Sequence, residues 1–164
     1  MADTHRFERF HEIVIDATGE QILDYVSNPN TWPQWIAASH EITAANRPLA
    51  VGETFRERWA TRTGEATLNW TVTAREDGRL WEARTPTDFL GDIVVRYEIE
   101  PAPGGARGHL YRRRVINPAR PKPPTDDMIR RIDEEATVSL ANIKRHVEAR
   151  KLAAGQADKP LVRR

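Results

Sequence analysis

The run Arg112-Arg113-Arg114 sits inside an alternating stretch, His109-Leu-Tyr-Arg-Arg-Arg-Val-Ile116. Successive side chains of a strand point to opposite faces of a sheet. If Arg112 and Arg114 face water, Arg113 faces inward beside His109 and Tyr111. The opposite phase places Leu110 and Ile116 inside but with two arginines, and each unpaired buried charge is costly. The one-arginine phase is the cheaper one. The same logic applied to Thr54–Trp59 puts Phe55, Glu57 and Trp59 on one face and Thr54, Arg56 and Arg58 on the other. Glu57 is thus a candidate partner for Arg113. Together with Tyr97, the set Glu57, His109, Tyr111 and Arg113 has the chemistry to orient a carboxylate, carbonyl or phenol. Arg113 can stabilise an enolate, and Glu57 or His109 can move a proton. The competing reading is a structural ion pair at the sheet rim, or a β-bulge that resets the phase and turns Arg113 to solvent.

Other chemistries find no support. The five histidines, His5, His11, His40, His109 and His146, show no metal-ligand spacing on one element, and the chain has no cysteine. No metal site and no cofactor are therefore expected. There is no Gly-x-Ser-x-Gly elbow, and no glycine-rich loop opens a helix to cradle phosphate. The net charge is +1 with acids and bases interspersed, unlike the basic stripe of a nucleic-acid binder. No stretch approaches the ~18 apolar residues that span a bilayer. The segment MADTHRFERF lacks the apolar core of a secretory signal. A cytoplasmic location is the expectation.

The elements that must position these residues follow from periodicity. Phe7–Ala17 reads as a strand, with Ile13, Ile15 and Ala17 on one face. Thr18 and Gln21 form a capping-box pattern ahead of a short helix that ends at Asn28-Pro29. Asn30–Ile36, with Trp32 and Trp35, forms a second short helix that tolerates Pro33 in its first turn. Six strands follow, at His40–Asn46, Glu53–Ala60, Ala66–Glu76, Arg79–Pro86, Gly91–Pro101 and Arg107–Asn117. Turn signals separate them at Val51-Gly52, Thr63-Gly64, Asp77-Gly78 and Pro103-Gly104-Gly105. Consecutive hairpins give an antiparallel meander. The proline-rich stretch Asn117–Pro124 blocks regular structure. A helix then runs from Thr125-Asp126-Asp127 to about Lys151, with Ile129, Ile132, Ala136, Leu140, Ile143 and Val147 along one face. Residues 1–152 form one domain, and Ala153–Arg164 is expected to be a mobile tail.

The fold class is therefore α+β, in the order β-α-α-β6-α. About seven strands form a curved antiparallel sheet wrapped on the last helix, the only element long enough to cover it. Inward positions include Phe55, Glu57, Trp59, Leu68, Trp70, Val72, Ile93, Val95, Tyr97 and Ile99, a face rich in aromatic and branched side chains. Two readings of that face stand, a filled core or an apolar pocket. Trp35 is read as core beneath the short helices and Trp32 as a residue at the pocket mouth. The loop Thr85–Asp92, with Phe89, and the stretch Asn117–Pro124 would flank one opening, as gates or as plain connectors.

The segments Ile13-Val-Ile-Asp-Ala17, Glu20–Ser27, Asn28-Pro-Asn-Thr-Trp-Pro-Gln-Trp35, the Gly52 entry to the third strand and the helix Asp126–Arg150 carry a resemblance. The chain resembles the START-like helix-grip (SRPBCC) superfamily, in its polyketide cyclase/dehydratase-like branch, over residues 7 to 152. What the resemblance implies is the helix-grip fold with an internal cavity and a lipid-like or polyketide-like ligand. It brings no fixed set of catalytic residues. Ligand contacts are then expected from Trp35, Phe55, Glu57, Trp59, Trp70, Tyr97, Tyr111 and Arg113 on the sheet side, with Ile132 and Ala136 on the helix.

Three functions remain open at this point. One is a binding or carrier module for a small hydrophobic or aromatic molecule. Another is a cofactor-free cyclase/dehydratase with Glu57, His109 and Arg113 as candidate catalytic groups. A weaker one is a protein-interaction domain. The expected partner is a small hydrophobic or aromatic molecule, taken up by a monomer or a homodimer, with no nucleic acid involved.

Overall fold

A computed structural model describes residues 3–61 and 64–158. Strand β1 (His5–Ile15) leads into α1 (Gly19–Val26) and a 3-10 helix (Pro29–Gln34). Then come β2 (Ser39–Thr43), β3 (Thr54–Thr61), β4 (Gly64–Glu76), β5 (Leu80–Thr85), β6 (Ile93–Pro101), β7 (His109–Arg120) and α2 (Asp126–Asp158). The seven strands form one sheet in the order β1-β7-β6-β5-β4-β3-β2, with every neighbouring pair antiparallel. The meander β2 to β7 is thus closed off at one edge by the first strand.

Local chemistry sets the element boundaries. Thr18 caps α1, accepting from the Gln21 amide at 3.1 Å while Gln21 accepts from the Thr18 amide at 2.9 Å. Asn28 caps the 3-10 helix by accepting from the Asn30 amide. Asp126 and Asp127 stand in the first turn of α2, where negative charge favours the helix dipole. Asp77-Gly78 forms the β4–β5 turn, with Gly78 at φ 73°. The turn expected at Thr63-Gly64 lies partly outside the described residues. Register shifts in the β1–β7, β2–β3 and β4–β5 ladders bend the strands and deepen the curvature.

Helix α2 lies along β1 and against α1. Lys144 Nζ donates to the Val14 carbonyl at 3.1 Å, and Glu148 accepts from the Asp16 amide at 3.0 Å. These side chains cap the outer edge of the sheet. The C-terminal half of the helix seals one end of the concave face, where Leu140, Ile143 and Val147 join Ile15, Ile22, Leu23 and Val26 in the core. The helix continues to Asp158, past the point near Lys151 where its apolar stripe ends. Of the tail expected from Ala153 on, the last six residues, 159–164, lie outside the described residues.

Two expectations need correction here. The stretch from Asn117 was read as blocking regular structure, yet β7 runs through Pro118 to Arg120. The β1–β7 register jumps between Phe7↔Asn117 and His5↔Arg120, and Pro118, which has no amide hydrogen, sits in that irregularity. Trp32 is not at a mouth. It is 1% exposed and meets Phe55, Trp70, Trp81 and Tyr97 edge-on, with centroids 5.2–6.5 Å apart. Its indole donates to the Val26 carbonyl at 3.0 Å. Three residues per turn in the 3-10 helix bring Trp32 and Trp35 to the same side, so both point into the sheet.

Candidate functional site

The concave face divides into a packed end and a looser end. In the packed end the rings of Trp32, Phe55, Trp70, Trp81 and Tyr97 contact one another, and Trp81 donates to the Leu49 carbonyl. Toward the N-terminal half of α2 the inward side chains shrink: Ala66, Ala83, Thr85, Ile93, Val95 and Val115 on the sheet, Ala136 and Ser139 on the helix. Alternation directs Trp59, Ala66, Ile93, Arg113 and Val115 inward, yet each remains partly accessible to solvent. Ile129 and Ile132 on the helix behave the same way. Solvent therefore reaches the inner face from this end.

The phase of β7 is the one-arginine phase. Arg112 pairs with Glu12, and Arg114 with Glu8 and Glu98, all on the convex face. Tyr111 and Arg113 face inward, next to Tyr97 on β6 through the register Tyr97↔Arg113 and Ile99↔Tyr111. The Arg113 guanidinium lies over the Trp35 ring, 5.6 Å from its centroid. Its Nε is buried and has no hydrogen-bond partner. The hydroxyls of Tyr97 and Tyr111, on residues with 0% exposure, likewise lack partners, as does that of Ser39. Native interiors leave few such groups unpaired. Their clustering marks a place where polar groups are held ready.

Glu57 completes this polar end from the opposite wall. It is 3% exposed and accepts a hydrogen bond from the Trp70 indole at 3.1 Å. Burial pushes its carboxyl above the ordinary carboxylate range; the neighbouring Ser39, Trp70 and the Arg113 charge hold that rise back. Ser39 lies beside the carboxylate without forming a well-oriented hydrogen bond. The expected Glu57–Arg113 ion pair is not formed. β3 and β7 stand four strand spacings apart, so ~19 Å separates them along a flat sheet. Curvature brings the two charges within electrostatic reach but not into contact. Tyr97 and Tyr111 are pushed above their ordinary values, chiefly by burial, with Arg113 opposing the rise.

His109 stands apart from this cluster. It lies two positions before Tyr111, near the packed end, and its Nδ1 donates to the Ala17 carbonyl at 2.8 Å. That bond fixes the turn after β1. Phe55 and Trp70 stack on each other within the packed end, 6.0 Å between centroids. Trp59 stands at the looser end, stacked on Phe89 of the loop before β6. That loop touches the last strand, since a Cβ on Gly91 would come within 2.8 Å of the Ala119 carbonyl oxygen. The two segments read as possible gates are therefore neighbours at one end of the sheet.

One cluster escaped the sequence reading. Arg9 and His11 on β1 both donate to Asp133 of α2, at 2.8 and 2.7 Å. They hold its carboxyl well below the usual carboxylate range, Arg9 more strongly. His11 also stands opposite Arg113 in the β1–β7 register. The i, i+2 spacing of Arg9 and His11 on one strand face was visible, but nothing local tied it to a residue more than 120 positions away. Among the described residues no group of three or more His, Asp or Glu side chains has the arrangement of a metal site. Among the described residues no helix is long and apolar enough to cross a membrane. A cleft on the convex face, lined by Glu76, Arg79, Arg96, Glu98 and Arg112, is a groove between surface charges and lies away from this cluster.

A curved seven-stranded antiparallel sheet gripping a long C-terminal helix defines a helix-grip domain. The family of polyketide cyclase / dehydrase and lipid transport proteins matches residues 6–148, and the chain belongs to that family. An uncharacterised protein of Mycobacterium tuberculosis (strain H37Rv) is 26% identical over 149 residues, covering 85% of this chain and 84% of that protein. Among solved structures, the Zhui aromatase/cyclase from Streptomyces sp. R1128 superposes with a TM-score of 0.69 at 11% identity, over 92% of this chain and 99% of that one. Ara h 8.0201 superposes with a TM-score of 0.64 at 12% identity, over 88% and 99%. At such identities the likeness is one of fold.

Proposed function

We propose that this protein binds a small, largely apolar molecule between the sheet and the N-terminal half of α2, with one polar group of the ligand turned toward Glu57, Tyr97, Tyr111 and Arg113. The observation that supports this reading is the cluster of buried polar atoms without partners at the edge of an apolar wall. A stable core gains nothing from unpaired hydroxyls, whereas a ligand that satisfies them gains orientation. Trp35, Trp59, Ile93, Val115, Ile132 and Ala136 would supply the apolar contacts. Phe55 and Trp70 would act from behind, by fixing Glu57 and the floor of the site.

A second reading rests on Glu57. A carboxyl whose proton is retained above the ordinary range can protonate a carbonyl or a leaving hydroxyl, and its conjugate base can take a proton back. With Arg113 able to stabilise an enolate, the same site would support cofactor-free cyclisation or dehydration of a polyketide-like substrate.

Thermal unfolding against fatty acids, sterols, flavonoids and aromatic polyketide mimics tests the first reading. A ligand at 100 times its dissociation constant adds about 2.7 kcal/mol, or roughly 5–10 °C for a chain this size. A shift confined to one chemical class is the expected result. A broad panel without any shift would refute the binding reading and bring the protein-interaction alternative forward. Turnover that Glu57→Gln abolishes while ligand binding persists would establish the second.

A further inference from the structure

Building on the ligand-binding reading, we infer that the polar group of the ligand is a carboxylate: the site takes a monoanionic amphiphile, its charged end on Arg113 and the hydroxyls of Tyr97 and Tyr111, its apolar body along Val95, Val115 and Ile93 toward the open end. Three observations lead there.

The first is charge. Arg113 forms no ion pair with any described residue, and Glu57, the carboxyl across from it, is held toward its neutral form by burial. Arg120, further along the same strand and 6% exposed, also lacks a carboxylate partner; its guanidinium lies over Phe7 and donates to the Lys122 carbonyl. By contrast Arg9, Arg112 and Arg114 are each matched to acids. Arg113 and Arg120 are the inner-side arginines of this strand and neither meets a carboxylate, so the site carries positive charge that a bound anion would neutralise.

The second is hydrogen-bond stoichiometry. Arg113 Nε and the two tyrosine hydroxyls make no well-oriented hydrogen bond, although Arg113 lies close enough to act on the Tyr97 hydroxyl, and a guanidinium can only donate. A carboxylate brings two oxygens that accept and nothing that donates. An alcohol, amide or amine brings donors of its own to a place already rich in them.

The third is shape. Stacking on Trp35 covers one face of the Arg113 guanidinium, which leaves its edge as the approach for a ligand. Planar, two-pronged contact at that edge matches a carboxylate. A phosphate would bring a second negative charge to a single guanidinium.

The test uses the full-length protein at pH 7.5 with two matched series, each below its aggregation threshold. One is dodecanoate, methyl dodecanoate, dodecan-1-ol and dodecylamine; the other is 2-naphthoate, its methyl ester and 2-naphthol. Affinity is read by titration calorimetry and by Trp fluorescence. The expected result is that in at least one series the acid binds about tenfold or more tightly than its neutral analogues, as charge-assisted bonding implies, and that the amine does not bind. Arg113→Met removes the preference for the acid, bringing its affinity to about that of the neutral analogues, and Arg113→Lys keeps part of it. Should Arg113→Met fail to fold, the Tyr97→Phe/Tyr111→Phe double variant is read in its place, with a reduced preference expected. Neutral analogues binding as tightly as the acids would overturn the carboxylate assignment yet leave the ligand site standing. An acid preference that survives in Arg113→Met would overturn it as well. If no member of either series binds, the carboxylate assignment is overturned, while the ligand-binding reading is decided by the wider thermal panel with its sterols and flavonoids.

Discussion

Tyr111→Phe removes one oxygen from the interior of the ligand-free protein and should make it more stable. The residue has 0% exposure, and its hydroxyl touches no hydrogen-bond partner. Burying a hydroxyl without compensation costs about 1–3 kcal/mol on mutational scales. Phenylalanine keeps the ring and its contact with Tyr97, 5.9 Å between centroids, so little packing is lost. The variant should therefore gain about 1–3 kcal/mol, or roughly 2–12 °C in midpoint at 2–4 °C per kcal/mol. Urea denaturation of both proteins without ligand, fitted with a common slope, measures the gain directly. A loss of about 1 kcal/mol would mean that the hydroxyl has a partner, such as an ordered water, and would refute the argument that it is held free. The same comparison at saturating ligand should shrink the gain, because the ligand satisfies the hydroxyl in the wild type only.

Glu57→Gln tests the buried carboxyl through pH. A folded-state value raised above the unfolded 4.5 means that stability from this group is fully present below pH 4.5 and is lost as pH rises through the folded value. The wild type should therefore lose stability relative to Glu57→Gln on going upward from pH 4.5, and a difference that stays level from pH 4 to 8 would contradict the assignment. Gly108→Ala should cost about 3 kcal/mol or more: φ is 90°, and a Cβ would stand 2.0 Å from the Ile15 carbonyl oxygen. Thermal unfolding checks this, and a near-neutral result would show that the turn before β7 can relax. Phe89→Ala exposes Trp59 at the open end and, because Phe89 is 46% exposed, should change stability by only about 0.5 kcal/mol. Stopped-flow binding should then show faster entry and exit; unchanged rates would remove the loop from the ligand's path.

What could be read from the residues alone was whatever has a local period or a local cost. The Asp77-Gly78 hairpin, the Thr18 capping box and the stripe from Ile129 to Val147 are patterns a few residues wide. The inward turn of Arg113 followed from comparing one buried charge with two. Distance between strands was not legible. Glu57 and Arg113 share the inner face, but only the strand order shows that four spacings lie between them. His109 obeyed its alternation and still fell at the other end of the site, because alternation fixes the face and says nothing about depth. Trp32 was misplaced for a related reason: a six-residue 3-10 helix has no period long enough to reveal which side meets the sheet. Pro118 read as a breaker, since a bulge that accommodates it depends on the partner strand. The Arg9–His11–Asp133 cluster needed the pairing of the first strand with the last helix.

That pairing has a consequence on the ribosome. Among the described residues β1 takes its only strand neighbour from β7, in a register that sets Ile13 against Tyr111 and Ile15 against His109. About a hundred residues must be added before that neighbour exists, which at 5–20 residues per second takes roughly 5–20 s. The meander β2 to β6 can zip hairpin by hairpin as it emerges, through contacts close in sequence. The first strand, with Phe7, Ile13 and Ile15 on its inner face, must wait for nearly the whole chain. Its outward face in that interval is Arg6, Glu8, Phe10, Glu12 and Val14, and the charges there oppose association of one waiting strand with another. The same acids, Glu8 and Glu12, later receive Arg114 and Arg112. Residues that protect the nascent strand thus become the ones that lock it into the finished sheet.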